Sequence, residues 1–64
     1  MFAILDGPGA VPALEGDLRS GQLDHEIPSG TRVRVVRTNP NGREVVVEHA
    51  GLYLRVEARY VRAA

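Results

Sequence analysis

The sequence contains no cysteine, no lysine and no tryptophan. Without cysteine, neither a disulfide framework nor a thiolate–metal site can hold the fold, and no thiol nucleophile exists. Aromatics are scarce, with one Phe and two Tyr in the chain, which leaves little for stacking on bases. No apolar run approaches the roughly 20 residues of a membrane-spanning helix. The N-terminal Met1-Phe2-Ala3-Ile4-Leu5 meets Asp6-Gly7-Pro8 at once, too short and without the basic region of a secretory signal. The expected location is the cytoplasm, with no membrane association.

Sixty-four residues are enough for one domain and no more. A chain this short buries only about 60% of the surface its unfolded form exposes, so its core is thin. The missing support is expected from well-formed β-pairing or from a partner that covers one face.

Formal net charge is zero, but the charges are segregated. Residues 1–30 carry Asp6, Glu15, Asp17, Asp24 and Glu26 against Arg19, one base minus five acids, or −4. Residues 31–64 carry seven arginines against Glu44, Glu48 and Glu57, or +4. Arginine without lysine suits planar, bidentate contacts. The abundance of Ala, Gly and Val points more simply to coding bias in a GC-rich genome. A short, Arg-rich, cysteine-free product suits a bacterial or viral gene.

Three segments alternate with period two, the mark of a half-buried strand. In Thr31 to Thr38, Val33 and Val35 oppose Arg32 and Arg34. In Arg43 to His49, Val45 and Val47 oppose Glu44, Val46 and Glu48. In Leu52 to Glu57, Leu52, Leu54 and Val56 oppose Tyr53, Arg55 and Glu57. Asn39-Pro40-Asn41-Gly42 joins the first two, and Asn-Gly is a strong hairpin signal. His49-Ala50-Gly51 joins the second and third, so the three strands form an antiparallel meander. Phe2 to Leu5 fits a short first strand, and Ala58 to Arg62 fits a 3₁₀ turn and a last strand. Residues 7–30 hold Gly7, Pro8, Gly9, Pro12, Gly16, Gly21, Pro28 and Gly30, too many breakers for a long helix. They are expected to form a long loop, with brief strand or helical pieces at Leu14 to Leu18 or Leu23.

This order resembles the Src-homology-3 domain. Phe2-Ala3-Ile4-Leu5-Asp6 sits where that family begins its first strand. His25-Glu26-Ile27-Pro28-Ser29-Gly30-Thr31 resembles the family's L-x-F-x-x-G-D diverging turn, with Ile27 in the core and Gly30 at the turn. Val56-Glu57-Ala58-Arg59-Tyr60-Val61 is similar to its closing F-P-x-N-Y-V. The resemblance implies an all-β, five-stranded antiparallel barrel over residues 1–64, with a long first loop (about 7–30), a strand meander (about 31–57) and a closing turn and strand (58–62). It does not carry over proline-rich peptide binding, which uses an aromatic groove. Of that groove only Tyr60 stands in register; Glu57 takes the proline position, the first-strand aromatic position is aliphatic, and no tryptophan is present.

Two surfaces are candidate contacts. Arg32 and Arg34 share a strand face, and Arg37 and Arg43 flank the first hairpin loop; together they suit phosphates. The simpler expectation is a solvated face paired with Glu44, Glu48 or Glu57. The apolar run Ala10-Val11-Pro12-Ala13-Leu14 suits another protein if exposed, with Tyr53 and Tyr60 as further contacts. Alternatively Val11, Leu14 and Leu18 close one end of the barrel. His25 and His49, even with Asp24 and Glu26, lack metal-ligand spacing, so neither metal nor cofactor is expected. Ser20, Ser29 and Thr31 lack a nucleophile-elbow setting, and Gly7-Pro8-Gly9 is no phosphate loop because Pro8 removes a backbone donor. The expected function is a non-enzymatic protein-interaction module or accessory subunit, with a nucleic-acid adaptor as the alternative. Pairing of strand edges into a homo-oligomer is the remaining expectation about partners.

Overall fold

The structure, a computed structural model, describes residues 1–15 and 23–64. Its strands are β1 (Phe2–Leu5), β2 (Val11–Glu15), β3 (Leu23–Ile27), β4 (Arg32–Thr38), β5 (Glu44–His49), β6 (Leu52–Glu57) and β7 (Val61–Ala63). A 3₁₀ turn, Ala58–Tyr60, precedes β7. Every pairing is antiparallel, in one sheet of order β3-β2-β6-β5-β4-β1-β7. The chain is all-β. No helix among the described residues is long and apolar enough to cross a membrane.

The meander β4–β5–β6 follows from alternation. Val33, Val45, Val47, Leu54 and Val56 are buried on one face, while their neighbours along each strand point away. Its turns are built as their residues dictate. Asn41 Oδ1 accepts from the Arg43 N–H at 2.8 Å, closing the first. Ala50 (φ 52°) and Gly51 (φ 80°) make the second, two left-handed residues whose twist matches the flanking strands.

The structure corrects the expected loop at 7–30 and, with it, the count of five strands. Seven strands are present among the described residues, because this segment carries the β2–β3 hairpin. The hairpin docks through β2 on β6, with Ala13 opposite Val56 and Glu15 opposite Leu54. Its breakers bracket the strands: Gly7, Pro8 and Gly9 precede β2, and Pro28 and Gly30 follow β3. Pro12 lies inside β2, but ahead of the Ala13–Glu15 stretch that pairs with β6. A proline is tolerated where one side of the strand needs no donor. Leu18, Arg19 and Ser20, along with Gly16, Asp17 and Gly21, lie outside the described residues.

The ladder is open, with β3 and β7 as its edges. It nevertheless encloses one core. Leu5, Val11, Ala13, Ile27, Val33, Val45, Val47, Leu54 and Val56 form a single cluster, with Tyr60 and Val61 packed against it. Strands from both ends of the ladder meet there, so the sheet curls over itself within 30 × 23 × 21 Å. Backbone bonds extend β1 on both sides beyond its paired residues: Leu5 N–H donates to Thr31 O at 3.0 Å, and Asp6 N–H to Tyr60 O at 2.7 Å. Tyr60 covers Gly7 so closely that a Cβ there would meet Tyr60 Cδ1 and Val11 Cγ2 at 3.2 Å.

Candidate interaction face

The face turned away from the core carries most of the candidate residues, and β4 decides its composition. Arg32 and Arg34 leave that face by simple alternation. Arg37 would then point inward, three residues on from Arg34. A β-bulge prevents this: Val35 stands opposite Val47, yet Arg37 stands opposite Val46, with Val36 as the extra residue. One inserted residue flips every later side chain across the sheet. Arg37 therefore rejoins Arg32 and Arg34 on the outer face, and Val36 stays exposed beside it.

Two rows of side chains cross the sheet on this face. In the first, Phe2, Arg34, Glu48 and Tyr53 are successive cross-strand neighbours on β1, β4, β5 and β6. Arg34 Nε donates to Glu48 Oε1 at 2.6 Å. That hydrogen bond, then the charge of Glu48 and a smaller push from Tyr53, holds the Arg34 guanidinium above its ordinary value. At the ends, Phe2 is 47% and Tyr53 59% exposed. Arg32 lies over the Phe2 ring, its Cζ 4.3 Å from the centroid, a cation–π contact. Exposed Met1 is beside them, its carbonyl accepting from Val35 N–H at 2.8 Å.

The second row runs Arg37, Val46, Arg55, Leu14 and Asp24 across β4, β5, β6, β2 and β3. Its centre is sealed. Val46 is buried, and the Arg55 side chain is only 11% exposed, with Nη1 3.5 Å from Glu44 Oε2. Arg55 Nε and Nη2 are buried without a hydrogen-bond partner among the described residues. Glu44 has a second contact, accepting from Asn39 Nδ2 at 3.0 Å.

The candidates thus separate. Tyr53, Arg32, Arg34 and Arg37 come together on one surface. Leu14 shares that face, half-buried beside Arg55, and Pro12 is exposed further along β2. Arg43 is exposed in the turn before β5. Val11 is fully buried in the core, and Tyr60 is half-buried over Gly7, with Arg59 Cζ 4.8 Å above its ring centroid. Neither offers a side chain to the outer face. His25 Nε2 lies 2.8 Å from Glu15 Oε1, and among the described residues no three His, Cys, Asp or Glu side chains gather.

Sequence reasoning overlooked Phe2 and Val36 as members of this surface. Val36 had a visible signal, the doubled Val35-Val36 that breaks the alternation of arginine and valine. No family model, no curated protein and no solved structure matches this chain. Its function is therefore argued from the outer face alone.

Proposed function

We propose that this chain is a non-enzymatic protein-interaction module, a small accessory subunit that docks on a larger protein through the outer face of β1, β4 and β6. One observation carries the reading. The exposed large apolar side chains of the described residues, Met1, Phe2, Val36 and Tyr53, all lie within two strands of Arg34. Tyrosine and arginine in one patch, rimmed by polar groups, is the composition that dominates protein contacts. The finer reading of the fold, a Src-homology-3-like barrel, is supported by the hairpin docked on β6 and by the 3₁₀ turn ahead of the last strand.

The second reading, a nucleic-acid adaptor, is favoured by a separate observation. Arg32, Arg37 and Arg43 form no ion pair among the described residues, and Arg32 lies over the Phe2 ring. Arginine planes and aromatic rings are what single strands stack on.

Affinity purification from native extract, with and without nuclease, separates the two. The expected result is a defined protein recovered in both conditions and lost when Arg34→Glu and Tyr53→Ala are combined. Recovery that survives that double change would sink the outer-face reading. Recovery that disappears with nuclease would establish the adaptor instead.

A further inference from the structure

We propose that the partner of the outer face is an acidic protein segment, lying extended along β4 with an apolar side chain between two carboxylates. This rests on the outer face being a protein-contact surface, and it names the chemistry of what docks there. Arg32 and Arg37 on β4, and Arg43 in the turn that follows, form no ion pair among the described residues. The carboxylates of β5 and of the residue after β1 are taken, Glu48 by Arg34, Glu44 by Arg55 and Asp6 by Arg62. The described acids outside any ion pair, Asp24 and Glu26, lie on β3, with β2, β6 and β5 between them and β4. Among the described residues, the chain holds no complement for these three arginines.

The same stretch carries exposed apolar side chains. Phe2 stands opposite Arg34, and Val36, the bulged residue, lies between Arg34 and Arg37. A partner that covers them also strips water from Arg32 and Arg37. A cation buried without a counter-charge is heavily penalised. Carboxylates on either side of an apolar group meet both demands. Arg32 already lies over the Phe2 ring, so one of the cations is held in place for its partner.

The outer face is convex, but it curves from strand to strand, and this line stays on one strand. Discounting the bulged residue, Arg32 and Arg37 are four strand steps of roughly 3.3 Å apart, about 13 Å. Midway stands Arg34, whose charge Glu48 already answers. The centre of the line therefore asks for an apolar group and its ends for carboxylates. An extended partner turns every second side chain to one face, so acids four residues apart with an apolar residue midway span that distance. In a helix the same spacing covers only about 6 Å.

A short synthetic peptide that alternates threonine with aspartate, leucine and aspartate is the probe. Its binding to the intact chain is followed by amide shifts in two-dimensional NMR at about 50 mM salt, up to about 1 mM peptide. Saturable shifts are expected at Phe2, Arg32, Val36 and Arg37, with β3 unmoved. Arg32→Glu with Arg37→Glu should weaken binding at least tenfold and should bind instead the peptide carrying lysine for aspartate. Serine in place of the probe's leucine should weaken binding as well. Both arginines are exposed, and far-ultraviolet circular dichroism checks the fold; Arg32→Gln with Arg37→Gln is the milder pair, with the same expected direction. No binding up to about 1 mM, shifts confined to other strands, or an affinity indifferent to either change would overturn the proposal. So would equal or tighter binding of an oligothymidylate of similar length, which would give the face to nucleic acid. The two readings fail separately: a chain that ignores the peptide yet still captures a protein through Arg34 and Tyr53 refutes the acidic partner alone.

Discussion

Arg55→Met is the most informative change to the fold itself, because Arg55 is where the structure breaks a general rule. Buried donors are almost always paired, yet Nε and Nη2 of this guanidinium are buried and unpartnered among the described residues. An unmet buried donor costs about 1–3 kcal/mol, and more when charged. Against this stands one contact, 3.5 Å to a partly exposed Glu44, an interaction of the kind worth about 1 kcal/mol or less. Methionine keeps much of the apolar stem that packs beside Val46 and Leu14 and discards the charge. Glu44 is not stranded, since Asn39 Nδ2 still donates to it at 3.0 Å. The balance predicts a gain of about 1–2 kcal/mol, within the range seen when apolar residues replace buried ion pairs. For a domain of this size that is roughly 4–8 °C in Tm per kcal/mol. Urea unfolding followed by circular dichroism, with the slope compared between variants, gives the measurement. Arg55→Ala, which removes the stem as well, should gain less or lose stability. A loss of more than about 1 kcal/mol in Arg55→Met at unchanged slope would refute the reasoning, since it would mean that the guanidinium is paired after all.

Three further changes probe the frame that carries the face. Ala50 holds φ 52°, where an L-residue with a Cβ is strained, so Ala50→Asn should stabilise by about 0.5–1 kcal/mol in the same urea assay. Gly7→Ala places a methyl 3.2 Å from the Tyr60 ring and Val11, and should cost about 1–3 kcal/mol, with a change in the near-ultraviolet tyrosine signal as the ring is displaced. Leu54→Ala removes a side chain that is 1% exposed at the middle of the cluster, at a cost of about 2–5 kcal/mol. That is comparable to the whole stability expected of so small a domain, so a substantial unfolded fraction should appear by circular dichroism at 25 °C.

How far the sequence speaks depends on how many neighbours a strand has. β5 and β6 pair on both sides, and Val45, Val47, Leu54 and Val56 alternate into the core, with Val46 buried on the opposite face as well. β3 has one neighbour, and Leu23-Asp24-His25-Glu26-Ile27 consequently carries polar residues that read as loop. Pro12 in β2 reads as a breaker because it is a proline, although its position ahead of the β6 pairing makes it harmless. The pairing of Arg32 with Arg34 on one face was legible from two-residue spacing. The return of Arg37 to that face was not read from it, because it depends on the bulge. Nor was the place of Phe2: its position opposite Arg34 is a register set by the packing of Ala3 and Leu5 into the core, across a separation no local pattern spans.

The state of the arginines also bears on which partner the face suits. Nucleic-acid affinity grows with the number of phosphates neutralised, each adding about 0.7–0.9 to the slope of log affinity against log salt. Arg34, Arg55, Arg59 and Arg62 already have carboxylate partners. Arg32, Arg37 and Arg43 remain among the described residues, for a slope of about 2–3. Raising salt fourfold would then weaken binding only about 20- to 40-fold, against a thousandfold or more for proteins making six to ten phosphate contacts. Three cations are a weak claim on a polyanion, but they suffice to orient a protein partner. Arg34 fixed by Glu48 and Arg32 laid on Phe2 are held in place before any partner arrives, so docking need not order them again. The same pre-ordering would do little for a flexible phosphate backbone, whose binding comes chiefly from released counterions. A face with few free charges, several of its side chains held in advance and exposed rings at both ends of one row is better suited to another folded surface.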